Sequence, residues 1–144
     1  LALVEVLRKE PYNGGQRALV RGAHTNIQTT TLLAAQAAAA KKAEDIQILD
    51  VGDILAVTER FVICSGTNTR QVRTIVDEIL KQLRDGAGCK PLSIEGLNDS
   101  TWVLLDYGEF VVHVFLTETR AYYELERLWT DAPNLAVAPI AAVS

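Results

Sequence analysis

Few side chains in this sequence can do covalent or metal chemistry, and their spacing limits what they can do. The soft ligands and thiol nucleophiles are two histidines, His24 and His113, and two cysteines, Cys64 and Cys89. No CxxC or HxxxH spacing gathers them, so a metal site is not expected. Cys64 closes the apolar run Phe61-Val62-Ile63, and His113 lies in a second apolar run. A thiolate–imidazole pair would require the two to meet across a sheet, in a polar setting that lowers the thiol pKa. The run before Cys64 argues instead for a core thiol. His113, on one strand face with Val111 and Phe115, reads as a half-buried, satisfied histidine rather than a proton shuttle.

Carboxylates and phosphate-binding turns fare no better. Metal-dependent nucleotidyl transfer wants two carboxylates projecting the same way from a strand, beside a Gly-Ser turn. Asp50 and Asp53 are separated by Val51-Gly52, which breaks the i, i+2 spacing, and the nearest glycine turn reads Ser65-Gly66, in the reverse order. Neither GxxxxGK[ST] nor GxGxxG occurs. The stretch Ser65-Gly66-Thr67-Asn68-Thr69-Arg70 does offer amides and a positive helix end to an anion. The same residues equally make a turn and cap a helix. No catalytic set emerges, and no cofactor is expected.

The elements that position these residues can be read from periodicity. Thr29-Thr30-Thr31 supplies N-cap candidates for an alanine-rich helix from Leu32 to Lys42, whose last turn holds Lys41 and Lys42. Ile46–Val51 and Phe61–Cys64 read as strands, the second apolar enough to be buried on both faces. Val72, Ile75, Val76, Ile79, Leu80 and Leu83 recur at helical spacing, which predicts an amphipathic helix ending before Gly86. Pro91–Glu95 is a further candidate strand. Trp102–Asp106 and Phe110–Phe115 flank Asp106-Tyr107-Gly108-Glu109, a hairpin signature. Thr117 is placed to cap a last helix in which Tyr122, Leu125, Leu128 and Trp129 recur at helical spacing, and Asp131-Ala132-Pro133 stops it. Helices interleave with strands, and the hairpin pair is antiparallel. The expected fold is therefore an α/β layered domain with a mixed sheet. Residues 1–28 read as an unassigned N-terminal arm or appended expression segment, residues 29–133 as the domain, and residues 134–144 as a loose tail.

Composition narrows the class. The 144 residues suffice for one domain with a core, and 49% are apolar and 22% charged, as in ordinary globular chains. No apolar run reaches the roughly 18 to 20 residues of a membrane span. The start, with Glu5 inside Leu1–Leu7 and Arg8-Lys9-Glu10-Pro11 after it, does not read as a signal peptide. Two cysteines suit a reducing compartment, so a cytoplasmic location is expected. Methionine is absent, which leads us to expect a trimmed start. The net charge of −4 is uneven: residues 1–90 hold twelve Lys and Arg against ten Asp and Glu, and residues 91–144 hold two against eight. An acidic half disfavours direct phosphate-led binding of DNA. It either steers a basic partner or only solvates a surface. Within that half, Trp102, Leu104 and Asp106 share one face of a strand by alternation. A tryptophan beside acids on an exposed strand suits an interface anchor with a polar rim. The alternative is that Trp102 packs under the last helix.

At these residues the sequence resembles the ribosomal silencing factor (RsfS/Iojap) family. The matching stretches are Asp45–Val51, Phe61–Thr67, Arg70-Gln71-Val72, Glu95-Gly96, Trp102–Gly108, Val111–Phe115 and Tyr123–Trp129. They run in order from about Thr31 to Pro133, and together they are specific where each alone is only a strand or helix. The resemblance implies a fold like that of nucleotidyltransferases without their catalytic carboxylates. It implies a non-enzymatic repressor that binds large-subunit ribosomal protein number fourteen, blocks joining of the small subunit and so silences translation, and that is often a homodimer when free. Residues carried over by the motif are Glu95, Trp102, Leu104, Asp106 and Tyr107. By their chemistry Trp102 and Leu104 would anchor, Asp106 and Glu95 would pair with Lys or Arg, and Tyr107 would add area and a hydroxyl. A large-subunit assembly factor is the alternative function, and a nucleotidyltransferase-like enzyme a more distant one. Titration calorimetry with nucleotides and magnesium separates the enzyme: no heat of binding is expected, and saturable metal-dependent heat would reinstate it.

Overall fold

In a computed structural model of the chain, residues 27–52, 58–124 and 127 are described. Residues 1–26 of the expected arm 1–28, the tail 134–144 and the helical positions Leu125, Leu128 and Trp129 lie outside the described residues. The element order is α1 (Ile27–Ala40), β1 (Glu44–Asp50), β2 (Arg60–Gly66), α2 (Thr69–Ala87), β3 (Ser93–Glu95), β4 (Trp102–Asp106), β5 (Phe110–Leu116) and α3 (Thr117–Tyr123). The strands form one sheet in the order β1-β2-β5-β4-β3. β2 and β5 run parallel at its centre, and the outer pairs are antiparallel. The mixed α/β sheet expected from the sequence is thus present.

The centre explains the rest. Phe61 to Ser65 and Phe110 to Phe115 are all buried, so both faces of the β2–β5 pair must be covered. One face is covered by α1 and α2. The apolar stripe of α2 sits on it, with Val72, Ile75, Val76, Ile79 and Leu83 at 0% exposure, against Val62, Cys64, Val112 and Val114. Alanines 34, 35, 37, 38 and 39 of α1 are buried, and their small side chains let this helix lie close to α2. The other face carries a second apolar cluster of Leu49, Val51, Phe61, Ile63, Leu104, Val111 and Phe115, with Trp102 packed against it.

Several local expectations are corrected. Helix α1 begins at Ile27, so Thr29-Thr30-Thr31 lies within it. The hydroxyl of Thr31 donates to the carbonyls of Ile27 (2.8 Å) and Gln28 (3.2 Å), bonding back along the helix instead of capping it. Lys41 and Lys42 follow the helix, and Lys42 adopts a left-handed conformation (φ 63°). Thr117 does not cap α3: Leu116 holds that position, and the Thr117 hydroxyl donates to the Gly66 carbonyl at the end of β2. Helix α2 runs past Gly86 to Ala87, and Gly88 turns the chain with φ 65° while its amide donates to the Arg84 carbonyl. Tyr122, expected on an apolar helical stripe, is 79% exposed.

Burial sets the reactivity of the two thiols. Cys64 is fully enclosed, and desolvation pushes its pKa up to about 12, with Arg120 opposing the rise only in part. Cys89 is half-buried, near the C-terminus of α2. A thiol reagent at pH 8 is expected to label Cys89 alone in the native protein and both cysteines after denaturation. Rapid native labelling of Cys64 would contradict the packing.

Candidate functional site

The five residues singled out by the sequence are arranged by the β3–β4–β5 register. Glu95 pairs with Leu104, which pairs with His113; Trp102 pairs with Phe115, and Asp106 with Val111. Glu95, Trp102, Leu104 and Asp106 therefore lie on one face of the sheet, at the β3 edge. Tyr107 lies on the opposite side with the cluster under α1 and α2. The expectation of an exposed strand is corrected: Leu104 is 1% exposed, because a sheet built on a doubly buried parallel pair has apolar layers on both faces. Tyr107 is 8% exposed and stacks on Phe110 with ring centroids 4.8 Å apart. Its hydroxyl finds no partner, and burial raises the phenol pKa above its ordinary value. Trp102, Glu95 and Asp106 are half-buried and reach the surface.

Each surface residue is held by identifiable contacts. Asp106 Oδ1 accepts from the Gly108 amide at 2.8 Å, which fixes the β4–β5 turn. Trp102 packs against Phe115 (4.7 Å) and Tyr123 of α3 (5.0 Å), with the rings tilted. Its Nε1 donates to His113 Nδ1 at 3.2 Å. That bond requires the lone pair on Nδ1, so the imidazole is neutral with its proton on Nε2. His113 is 0% exposed, meets Phe61 edge-on at 4.5 Å, and its Nε2 has no hydrogen-bond partner. Desolvation pushes its pKa down to about 3. The expected half-buried, satisfied histidine is therefore fully buried and satisfied on one nitrogen only.

The β3–β4 connection is gripped from α2. Arg73 Nε donates to Ser100 Oγ (2.8 Å), and its Nη2 donates to the carbonyls of Asn98 (3.0 Å) and Leu97 (3.4 Å). Gly96, at φ 85°, presses against the Trp102 carbonyl so closely that a Cβ would collide with it. The loop thereby delivers Trp102 at a fixed angle. Nothing in the sequence around Arg73 marks this role, since its partners, one hydroxyl and two carbonyls of a distant loop, carry no periodic signature.

The other chemical candidates do not assemble. Ile63, not Cys64, pairs with His113, so Cys64 and His113 sit on opposite faces of the sheet and cannot act together. Asp53 lies outside the described residues. The turn before α2 is occupied by the protein itself. Asn68 Oδ1 caps the Gln71 amide (2.8 Å), and Gln71 Oε1 accepts from the Thr67 amide (2.7 Å) and hydroxyl (3.0 Å). The side-chain Nε2 of Gln71 then donates to the carbonyls of Lys41 and Lys42, tying the end of α1 to the start of α2. A cavity of about 430 Å³ lies between β1 and α3, lined in part by Glu44, Asp45, Ser65 and Arg120. Its cations have partners: Arg120, buried, bonds Ser65 Oγ (3.2 Å) and lies 3.5 Å from Asp45, and Arg127 pairs with Glu124 (2.7 Å). Among the described residues no group of three or more His, Cys, Asp or Glu is arranged to hold a metal, and no helix is long and apolar enough to cross a membrane.

Comparison with known proteins gives a consistent picture. The family model described as "Ribosomal silencing factor during starvation" (RsfS) matches residues 24–144. The ribosomal silencing factor RsfS of Bacillus subtilis is 44% identical over 75% of this chain and 91% of its own length. The mouse protein named for mitochondrial assembly of the ribosomal large subunit is 38% identical over 62% of this chain and 40% of its own. A crystal structure of a Chromobacterium violaceum protein superposes with a TM-score of 0.71 at 31% identity, covering 80% of this chain and 97% of that one.

The buried imidazole makes stability depend on pH. His113 is neutral in the folded protein, so below pH 6.5 the unfolded chain takes up a proton that the folded one refuses. Its contribution is complete above pH 6.5 and is lost as pH falls towards 3, at up to about 1.4 kcal/mol per pH unit. Urea unfolding between pH 7 and 5 is expected to show this slope in the wild type and a shallower one in His113→Gln. Parallel curves would contradict the assignment.

Proposed function

The chain belongs to the RsfS family of ribosomal silencing factors, and on that premise we propose that it represses translation by docking on the large ribosomal subunit through ribosomal protein number fourteen. Occupying that face excludes the small subunit sterically. The observation that carries the reading is the β3–β4 surface itself: a half-buried tryptophan, held by ring contacts and by His113, with Glu95 and Asp106 on the same sheet face. Interfaces concentrate binding energy on such aromatic anchors within a polar rim. Ribosomal proteins are basic, and the acidic half of this chain supplies the complementary charge. In this reading Trp102, Glu95 and Asp106 touch the partner, and Leu104 and Tyr107 support them from beneath.

The domain expected at residues 29–133 also takes in Ile27 and Gln28 of α1, the fold is related to nucleotidyltransferases without their catalytic carboxylates, and the chain is not an enzyme. The protein works in the cytoplasm, as a homodimer when free, with no cofactor. Assembly of the large subunit is the second reading, favoured by the 38% identity to the mouse protein named for that process.

Sucrose-gradient sedimentation tests the proposal. Added protein is expected to split intact ribosomes and to travel with the large subunit; migration with the small subunit, or with neither, would sink it. Glu95→Lys is expected to weaken large-subunit binding at least about tenfold with unchanged thermal stability. Trp102→Ala is expected to cost about 2 kcal/mol or more of binding.

A further inference from the structure

Helix α3 carries an aromatic surface next to Trp102. Tyr122 is 79% and Tyr123 39% exposed. Their rings meet edge to face, 4.9 Å apart at 87°. Tyr123 in turn lies 5.0 Å from Trp102, so the aromatic contacts run from the sheet face onto the outside of the helix. We propose that this Tyr122–Tyr123 corner, continuous with Trp102, receives an arginine or lysine side chain of a basic protein partner. The proposal rests on the docking reading above and extends it to a second element.

Three observations select a cation-bearing protein. An exposed tyrosine ring offers its negative face to a cation, and arginine stacks on such rings most often. The charge facing the corner from the helix is acidic: Glu118 precedes Tyr122 by one helical turn, while Glu124, after Tyr123, is already paired with Arg127 at 2.7 Å. The helix's own cation is directed elsewhere, since Arg120 is buried against Ser65 and Asp45. A second copy of this chain fits poorly at this corner, because it would bring the Glu118 carboxylates of both copies together. An anionic lipid surface would be repelled by the same carboxylate. The edge-to-face pair also holds both rings before any partner arrives, so little side-chain freedom remains to be lost on binding.

The test uses the full chain and purified large ribosomal subunits, with Tyr122→Phe, which keeps the ring, and Tyr122→Leu, which keeps only apolar bulk. Tyr122 is exposed, so both variants are expected to melt with the wild type. Tyr122→Phe is expected to bind within about twofold of the wild type, and Tyr122→Leu about fivefold or more weaker. Equal binding by Tyr122→Leu and wild type overturns the inference and leaves the docking reading intact. If the wild type itself does not bind large subunits, the docking reading fails, and a peptide of alternating arginine and glycine decides the corner separately. Binding that is lost in Tyr122→Leu and when citrulline replaces arginine supports it; no binding, or binding indifferent to either change, overturns it.

Discussion

The parallel pairing of β2 with β5 constrains every other element. Register runs unbroken from Arg60 opposite Phe110 to Gly66 opposite Leu116, and the side chains between are buried on both sides. Parallel strands cannot be joined by a tight turn, so the chain must travel through α2, β3 and β4 before β5 can form. That excursion places α2 over one face and leaves the β3–β4 edge beside β5. The face away from the helices still needs an apolar layer. Phe61, Leu104, Phe115 and Trp102 provide it. The proposed docking surface is thus the outer margin of a second core, and its tryptophan is at once a packing residue and a surface residue.

Two polar side chains inside this architecture show how burial redirects chemistry. His113 and Cys64 belong to residue types that often react, yet desolvation holds each in its neutral form. His113 then serves as a hydrogen-bond acceptor for an indole, and Cys64 as a small apolar filler. Arg120 is the opposite case: its guanidinium is buried with polar partners, Ser65, the Glu44 carbonyl and Asp45, around it. The irregular register of β1 between Glu44 and Gln47 and the positive φ of Asp45 bring that carboxylate within reach.

Much of the fold was legible in the residues. The stripe from Val72 to Leu83, the apolar runs of β2 and β5, and the turn at Tyr107-Gly108 each have a period or a turn chemistry that few structures satisfy. What was not legible depended on partners distant in sequence. Hydroxyls at Thr31 and Thr117 fit a capping role by type, but the same hydroxyl satisfies a carbonyl elsewhere equally well. Alternation placed Trp102, Leu104 and Asp106 on one face correctly, yet could not say that this face was itself covered. That depends on how many neighbours of the strand are apolar on both sides. Tyr122 recurs at helical spacing with apolar residues, but periodicity describes spacing and not which side of the helix meets the sheet. Arg120 did leave a trace, as one of just two cations in residues 91–144.

The side chain of Gln71 has a consequence for selectivity. A ribosomal subunit presents far more RNA phosphate than protein surface, and a helix start with free amides would be drawn to phosphate anywhere on it. Here a glutamine amide takes the place of that anion at Thr67, and its other end is bound to the carbonyls at the close of α1. A phosphate entering at Thr67 would have to displace a ligand the protein carries with it and loosen one helix from another. In the docking proposed above, this helix start is already filled, and recognition falls to the surface whose charges and rings suit a protein.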